Sequence, residues 1–372
     1  MENLTKTMKL HNLTETVEWI LKNFNGDFVE TNKQMTRIIK QARANAKGAT
    51  CLYCGKPVTS FCNSHNIPAF CLRNIDSNGM VLTVNSIIEF PFYFKEDSGV
   101  GNAGTFHIIC EDCDNTVFQE YESPDAYNDK PSHKILAAIA LKSNLKYIYK
   151  RKVEIEQYKL MQKIKDSPHF NQINEVNALD LKDFLMDFGK AKKQVNSNYN
   201  DGYYLVYYDL LNYTVPIAFQ GQIALYVDFD GNIVNDIYNK APNYHVKSLY
   251  LCIFPLENKT VIILFIDNNE KRYRKFYKKF NTLSREEKLS VINYLVFLYS
   301  EDFYCSEALK QVLKSDRTVK EITGKTTMAD ISIDDIMTGN VDEQLRSEYN
   351  LNEHKNFTNF LSEKYRIKEQ PK

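Results

Sequence analysis

Two Cys-x-x-Cys pairs are the residues whose type and spacing most clearly indicate chemistry. The first pair is Cys51 and Cys54, followed directly by Gly55, and the second pair is Cys110 and Cys113. A two-residue spacing lets both sulfurs of a pair reach one tetrahedral ion at about 2.3 Å, and Gly55 is free to take the positive φ that such a turn often needs. The pairs predict a structural Zn²⁺ site, because four thiolates leave no open position for catalysis. Redox or core cysteines are the alternative.

The remaining cysteines carry no metal-ligand spacing. Cys62, Cys71, Cys252 and Cys305 are scattered along the chain and are interpreted as ordinary buried thiols. The sequence MENLTKTMKLHNLTE at the start lacks the apolar core of a secretory signal. No run of 18 apolar residues occurs, so we expect no membrane span. We therefore expect a cytoplasmic protein with reduced thiols and without a disulfide framework.

The segment between and just after the pairs carries polar residues in a recognisable order. It contains Ser64-His65-Asn66-Ile67-Pro68, and the second pair continues as Asp114-Asn115. A knuckle, a His followed by an apolar residue and Pro, and a second knuckle that opens a helix resemble the zinc-framed HNH endonuclease family. The resemblance covers about residues 49–125. It implies a ββα-metal site on a treble-clef zinc scaffold, and hydrolysis of phosphodiester bonds with one catalytic Mg²⁺ or Mn²⁺.

The resemblance also implies roles for single residues. His65 matches the general base, which activates water, and Pro68 closes the same short turn. Asp114 stands where the family has a metal-ligating His, and a carboxylate oxygen suits Mg²⁺. The chain departs from the family at Ser64, where a metal ligand is usual, and at Thr105, where an Asn is usual. Asn115 and Asn85 are the candidates to replace that Asn in the site.

Each candidate also has a structural interpretation. His65 could bond locally and pack the turn, and Asp114 and Asn115 could cap a helix that begins near Thr116. His107 alternates with apolar residues on a predicted strand, which favours a solvent-facing position over a ligand role. The carboxylates on the helix after the second cysteine pair are Glu120 and Glu122. They are interpreted as a solvated helix face, and the alternative is that they supplement the metal site.

A helix predicted over residues 31–46 provides the candidate nucleic-acid contact. Its basic residues follow one another at helical spacing and no acidic residue interrupts them: Lys33, Arg37, Lys40, Arg43 and Lys47. Such a stripe binds a phosphate backbone without sequence preference, and a solvated helix face is the alternative. Two further basic runs would extend the track or serve solubility: Lys146, Lys150, Arg151 and Lys152, with Tyr147 and Tyr149 between them, and residues 271–279. The expected partner is nucleic acid, DNA before RNA.

Composition places limits on this interpretation. The 372 residues contain 47 Lys and Arg and 47 Asp and Glu, so that any electrostatic footprint must be local. The 43% hydrophobic content is enough for sizeable cores and excludes a disordered chain. No phosphate-binding Gly loop, nucleophile elbow or dinucleotide fingerprint occurs after residue 126.

Periodicity predicts an α+β protein, with an α-rich N-terminal module and a C-terminal antiparallel sheet flanked by helices. Helices are expected over residues 12–24, 31–46, 133–165 and 178–190. Four to six strands are expected between residues 202 and 267. Further along the chain, we expect a helix after a Ser284–Glu287 capping box, an acidic loop over 316–344 and a helix after residue 350. We divide the chain into N-terminal helices (1–48), the HNH-like zinc module (49–125), a helical connector (126–200) and a companion domain (201–372).

The function predicted from the sequence is a metal-dependent endonuclease of the HNH type. Zinc-framed HNH modules joined to other domains are frequent in bacterial defence against phage, so by analogy an antiviral role is expected. The alternative is a non-catalytic zinc-scaffolded module that binds nucleic acid or protein, which Ser64 and Thr105 favour. A third interpretation is zinc that only stabilises a loop-rich segment. The C-terminal sheet is expected to sense a signal, bind a protein partner or form a homo-oligomer.

Overall fold

The fold combines helices with antiparallel strands, which confirms the α+β class. The computed structural model describes residues 27–89, 95–164, 166, 168–197, 201–236, 239, 241, 243–327 and 346–368. The helix predicted over 12–24 lies outside these residues. The described helices are α1 (Phe28–Lys47), α2 (Ala69–Arg73), α3 (Asn85–Ile88), α4 (Glu111–Phe118), α5 (His133–Ile164), α6 (Pro168–Val195), α7 (Arg274–Thr282), α8 (Arg285–Tyr299), α9 (Lys310–Ser315) and α10 (Arg317–Thr327).

The strands form one small and one large sheet among the described residues. They are β1 (Ser64–His65), β2 (Met80–Leu82), β3 (Asp97–Gly99), β4 (Thr105–Phe106), β5 (Tyr203–Leu211), β6 (Ile217–Ile223), β7 (Leu249–Leu256), β8 (Lys259–Asp267) and β9 (Tyr304–Cys305). The small sheet pairs β1 with β4, and the large one has the order β3-β2-β9-β6-β7-β8-β5. All pairs are antiparallel.

The large sheet crosses the proposed division of the chain at residue 200. Strands β5 to β8 come from the segment where the sequence predicts them, and β7 and β8 join through a two-residue turn in which Asn258 takes a φ of 59°. Strands β2 and β3 come from the predicted zinc module and pair onto the same sheet through β9. The short β2, β3 and β9 were not predicted, because two or three residues are too few to show an alternation.

Both faces of the central strands are buried, and this explains their uninterrupted apolar sequences. Side chains alternate along each strand. Leu251 and Ile253 of β7 belong to the core that contains α8, whereas Cys252 and Phe254 belong to the core that contains the first half of α5. The α5 core also contains residues of the segment that carries the four paired cysteines, including Cys51. The paired cysteines therefore lie on the α5 side of the sheet.

Local sequence accounts for the limits of α1 and α8. The Asp27 side chain accepts a hydrogen bond from the Glu30 N–H at 2.8 Å at the start of α1, and Gly48 follows its end with a φ of 73°. The predicted capping box at the start of α8 is confirmed, since Ser284 and Glu287 bond reciprocally.

Two predictions in the C-terminal part were wrong. The acidic stretch expected to form a loop contains α10, and its remainder over 328–345 lies outside the described residues. The tail after 350 forms short 3₁₀ turns, Leu351–Asn356 and Glu363–Tyr365, instead of an α-helix. The tail is fixed by tertiary contacts, because Phe357 and Phe360 pack against Phe297 of α8, and local periodicity does not report such contacts.

Candidate metal centre and nucleic-acid interface

The four cysteines of the two pairs converge on one point. The sulfurs of Cys51, Cys54, Cys110 and Cys113 all lie within 4.8 Å of one another. Four sulfurs at about 2.3 Å from a tetrahedral ion are about 3.8 Å apart, so this arrangement needs little adjustment to accept one. A set of four thiolates at tetrahedral spacing is the donor set of zinc or an iron–sulfur site. The predicted cluster is confirmed, and it could hold a metal such as zinc.

Backbone hydrogen bonds hold the two pairs together. Gly55 takes a φ of 74° and donates to the Cys51 carbonyl at 2.8 Å. The N–H of Leu52 donates to the Ile108 carbonyl at 2.9 Å, which ties the first pair to the chain that leads into the second. The Cys110 N–H donates to the Cys51 sulfur at 3.4 Å. An N–H aimed at a sulfur stabilises its thiolate form, which is the form that binds metal.

The electrostatic environment differs between the cysteines. A backbone hydrogen bond from Lys56 is the main cause that lowers the pKa of the exposed Cys54 to about 7. Burial raises the pKa of Cys51 and of Cys113. A bound metal cation would offset the cost of ionising these buried thiols, because a thiol that coordinates a metal is deprotonated. When bound, zinc would supply a cross-link between the two pairs.

Asp114 lies inside α4 and is engaged on both carboxylate oxygens. Its Oδ1 accepts from the Lys142 ammonium at 2.6 Å and from the Ser64 hydroxyl at 2.6 Å, and its Oδ2 accepts from the Cys62 thiol at 3.3 Å. Burial works to raise the pKa of Asp114, but the charge and hydrogen bond of Lys142 hold that pKa below its usual range. Burial and the charge of Asp114 raise the pKa of Cys62 to about 12.

The predicted capping roles of Asp114 and Asn115 were wrong. Helix α4 begins at Glu111 with Cys110 as its N-terminal cap, so both residues lie within the helix. Asp114 occupies the buried face of α4 and Asn115 the exposed face. The helix starts earlier than its polar residues indicated, because the cysteine that enters the cluster also sets its first turn.

The surroundings of Asp114 do not fit a divalent cation. An ammonium already occupies the position that faces the carboxylate, and Ser64 acts there as a donor. Within the described part of the chain, the four cysteines are the only group of three or more His, Cys, Asp or Glu that could hold a metal ion. Neither Mg²⁺ nor Mn²⁺ is therefore assigned a role at Asp114.

His65 is held by a backbone carbonyl. Its Nε2 lies 2.9 Å from the Val100 carbonyl oxygen. A carbonyl oxygen only accepts, so that Nε2 carries the proton in the neutral ring and Nδ1 is left with a lone pair. The ring is half-buried. Thr105 lies opposite His65 across the small sheet and donates to the Asn102 carbonyl at 3.1 Å.

The basic stripe of α1 lies on the exposed side of the helix. The opposite side buries Met35, Ile38, Ala42 and Ala46. All five predicted contacts lie outside that buried set, four of them exposed and Lys47 half-buried: Lys33, Arg37, Lys40, Arg43 and Lys47. Glu30 lies 3.7 Å from the Lys33 ammonium and 3.9 Å from the Arg37 guanidinium. Across the described residues, Lys40, Arg43 and Lys47 have no carboxylate within 4.0 Å.

The second basic run does not form a continuous track. Three of its four cations are paired with carboxylates: Lys146 with Asp302, Lys150 with Glu301 and Asp302, and Arg151 with Glu154 and Asp180. Tyr147 stacks on Phe184 at a centroid distance of 5.3 Å. This half of α5 is occupied by packing against α6 and the residues before β9, so the sequence interpretation as a phosphate track was wrong.

His107 lies beyond the end of β4, which corrects its placement on a solvent-facing strand. Its ring is half-buried and lies edge-on to Tyr149 at 5.8 Å, and its buried Nδ1 has no hydrogen-bond partner in the part of the chain that the structure describes. Burial is the main cause that lowers the pKa of His107, followed by the positive charges of Lys47, Arg43 and Lys146. The charge stripe of α1 thus extends to the zinc segment.

Sequence reasoning missed Lys142. It is the single charged residue in the apolar stretch ILAAIALKSNL of α5, where every neighbour is buried. A lone Lys on an otherwise apolar helix turn indicates a buried partner, because an unpaired buried ammonium is too costly. The partners are Asp114 and Glu122. The Oε1 of Glu122 accepts a hydrogen bond from the Lys142 ammonium at 2.7 Å, which corrects the interpretation of Glu122 as part of a solvated helix face.

Comparisons with known proteins leave the family open. No protein-family model, curated protein or solved structure matches the chain. None of the helices that the structure describes is long and apolar enough to cross a membrane.

Proposed function

We propose that the chain is a nucleic-acid-binding protein in which a zinc-framed module presents the exposed face of α1 to a phosphate backbone. The observation that carries this proposal is the α1 surface of Lys40, Arg43 and Lys47, three cations without a carboxylate partner among the described residues. The chain as a whole has a formal net charge of +0. A local positive surface in a neutral chain is the footprint of binding through phosphates.

The field around His107 supports the same surface. Arg43 and Lys47 of α1 and Lys146 of α5 all lower the pKa of this ring, and among the described residues no carboxylate offsets their effect. Three cations from two helices therefore act on one point beside the zinc segment. A phosphate group there would compensate Arg43 and Lys47, which have no carboxylate partner among the described residues, whereas Lys146 already pairs with Asp302.

The zinc cluster would give this surface a fixed position. Three residues separate Lys47, the last residue of α1, from Cys51. The first cysteine pair, the β1–β4 ladder and the second pair at the start of α4 follow the order of a treble clef. A zinc cross-link would fix the end of α1 to this module, so that the cations are presented with less loss of entropy on binding.

Fluorescence anisotropy with a labelled DNA duplex and a labelled RNA strand at low salt tests the proposal. We expect wild-type zinc-loaded protein to bind, and the variant Lys40→Gln/Arg43→Gln/Lys47→Gln to lose affinity. The matched control is Lys275→Gln/Lys278→Gln/Lys279→Gln, which removes the same charge from exposed positions of α7. Equal loss in both variants would mean either that net charge governs binding or that the basic run of α7 binds as well, and it would overturn the assignment of binding to α1. Absence of binding by wild type would refute the proposal.

The endonuclease predicted from the sequence is the second candidate, and His65 is the observation that favours it. The Val100 carbonyl fixes the tautomer that leaves Nδ1 as a base, as expected of a His that takes a proton from water. The resemblance of residues 49–125 to HNH endonucleases supports the same role. Plasmid DNA and RNA incubated with wild type and with His65→Ala test this candidate. Cleavage by wild type only would establish it, and cleavage by both proteins would remove His65 from the mechanism.

A further inference from the structure

Lys142 of α5 is a fully buried cation whose ammonium contacts residues of the predicted zinc module (49–125). Its side chain is 0% exposed, whereas the side chains of its partners Asp114 and Glu122 are 11% and 34% exposed. The ammonium lies 4.1 Å from the centre of the Phe118 ring, which adds a cation–π contact. Moving an ammonium out of water costs several kcal/mol, so that this residue persists only because the groups around it are arranged for a cation.

The groups that face the ammonium include two carboxylates, which are also ligand types that metal ions use. One carboxylate from α4 and one from the residues just after α4 accept hydrogen bonds from the ammonium. The Ser64 hydroxyl donates to the same oxygen of Asp114 as the ammonium, and the Cys62 thiol donates to the other oxygen. The HNH resemblance assigns the divalent cation to Asp114, and that is where the ammonium lies.

We propose that the ammonium of Lys142 is the resident cation of this site, and that a divalent ion binds at Asp114 only when the ammonium is removed. The chain supplies its own positive charge in place of a metal. This inference goes beyond nucleic-acid binding and is independent of it, since it concerns the charge balance within the module.

Charge and geometry support the exchange. Without Lys142, two carboxylates share a largely buried volume with no counter-cation, which is the condition that favours a hard divalent ion. Their oxygens now lie 2.6 and 2.7 Å from one nitrogen. These distances are close to the 2.3–2.6 Å of Ca²⁺ ligation and longer than the 2.0–2.1 Å that Mg²⁺ requires. Removal of the lysine side chain also frees volume for an ion with its waters.

The experiment measures Mn²⁺ binding to the full zinc-loaded chain by electron paramagnetic resonance, with Ca²⁺ as a competitor. The proteins are wild type, Lys142→Ala, Asp114→Asn, Lys142→Ala/Asp114→Asn and the control Lys134→Ala. Lys134 belongs to the same helix but pairs with Glu120 at the surface at 3.0 Å. Zinc content and near-ultraviolet circular dichroism, measured on each sample, show whether the module is folded.

We expect Lys142→Ala to bind Mn²⁺ on the order of 100-fold more tightly than wild type, because it leaves buried carboxylates uncompensated. The Asp114→Asn change in that background should abolish the gain, and Lys134→Ala should behave as wild type. Mn²⁺ bound by wild type and lost with Asp114→Asn alone would overturn the proposal. A folded Lys142→Ala that binds no Mn²⁺ would also overturn it.

Loss of folding in Lys142→Ala has its own resolution. The triple variant Lys142→Met/Asp114→Asn/Glu122→Gln keeps the approximate volume and removes the charges of the ammonium and of both its carboxylate partners. If it folds with wild-type zinc content, the role of Lys142 is charge compensation and the proposal is supported. If it fails to fold although all three charges are absent, the ammonium is not acting as a counter-cation and the proposal is refuted.

Discussion

The salt dependence of nucleic-acid binding gives the sharpest test of the α1 surface. The perturbation is the variant Lys40→Gln/Arg43→Gln/Lys47→Gln, which removes the three cations of α1 that have no carboxylate partner among the described residues. Lys33 and Arg37 are retained, since Glu30 already lies within 3.7 and 3.9 Å of them and reduces their effect on a phosphate. Glutamine keeps the helix propensity of these positions nearly unchanged.

Counterion release sets the magnitude. Each phosphate neutralised on duplex DNA contributes about 0.9 to the slope of log affinity against log salt concentration. Three contacts therefore contribute about 2.7 to that slope. Over a roughly four-fold rise in salt, wild-type affinity should fall about 40-fold more than the affinity of the variant. For a single strand the contribution is about 0.7 for each phosphate, so that the difference is smaller.

Anisotropy titrations at four or more salt concentrations measure both slopes, with Lys275→Gln/Lys278→Gln/Lys279→Gln as the control. The α7 control should keep the wild-type slope, although it has the same net charge as the α1 variant. Parallel lines for wild type and the α1 variant would show that these three residues do not contact phosphates. In that case the α1 surface is a solvated helix face.

Further predictions concern the zinc cluster, His107 and the sheet. Chelation of zinc, or the variant Cys110→Ser, should destabilise the module and release about one zinc ion from each chain. A colorimetric assay measures the released zinc, and circular dichroism measures the loss of structure. Full retention of structure in metal-free protein would contradict a structural site. The pKa of His107, followed by NMR, should lie below its ordinary value of about 6.5 and rise on addition of an oligonucleotide. Burial and nearby cations depress the folded-state pKa of His107. Its contribution to stability should therefore be present above the unfolded-state pKa of about 6.5, and it should be lost as pH falls from there through the folded-state pKa. A His107 resonance that titrates with an unshifted pKa would contradict the positive field. Gly221→Ala should lower the free energy of unfolding by about 1–3 kcal/mol, because an added Cβ would lie 2.7 Å from the Tyr147 hydroxyl and 2.8 Å from Phe219; a neutral effect in chemical denaturation would show that Tyr147 moves aside freely.

The parts of the molecule that sequence predicts well are those with strong local signals. The cysteine cluster follows from two spacings, α1 from the helical spacing of its residues, and β5 to β8 from long apolar runs with turns between them. The pairing of β2, β3 and β9 into the same sheet was not predictable, since it depends on contacts between residues more than 200 positions apart, such as Leu82 with Cys305. The division into domains stays a prediction, and so do the catalytic role of His65 and any role of Asn115.

The surroundings of Asp114 show a second limit of sequence reasoning. The carboxylate of Asp114 and its position in the HNH resemblance favoured a metal-ligand role, and both arguments draw only on the sequence near the cysteines. The partner that determines its chemistry is Lys142, 28 residues later on another helix. A motif reports which groups are adjacent in sequence, but the charge that a carboxylate faces is decided by the fold.

The same ammonium decides the order of the two functional proposals. Hydrolysis of a phosphodiester needs a base for the water and a positive group for the charge that develops on the leaving oxygen. His65 offers the base. Lys142 is 0% exposed and bonded to two carboxylates, so that it cannot contact a phosphate in this conformation. The surroundings of Asp114 therefore support only one half of the machinery that cleavage would need, and we place the proposed binding of a phosphate backbone by α1 ahead of the proposed cleavage.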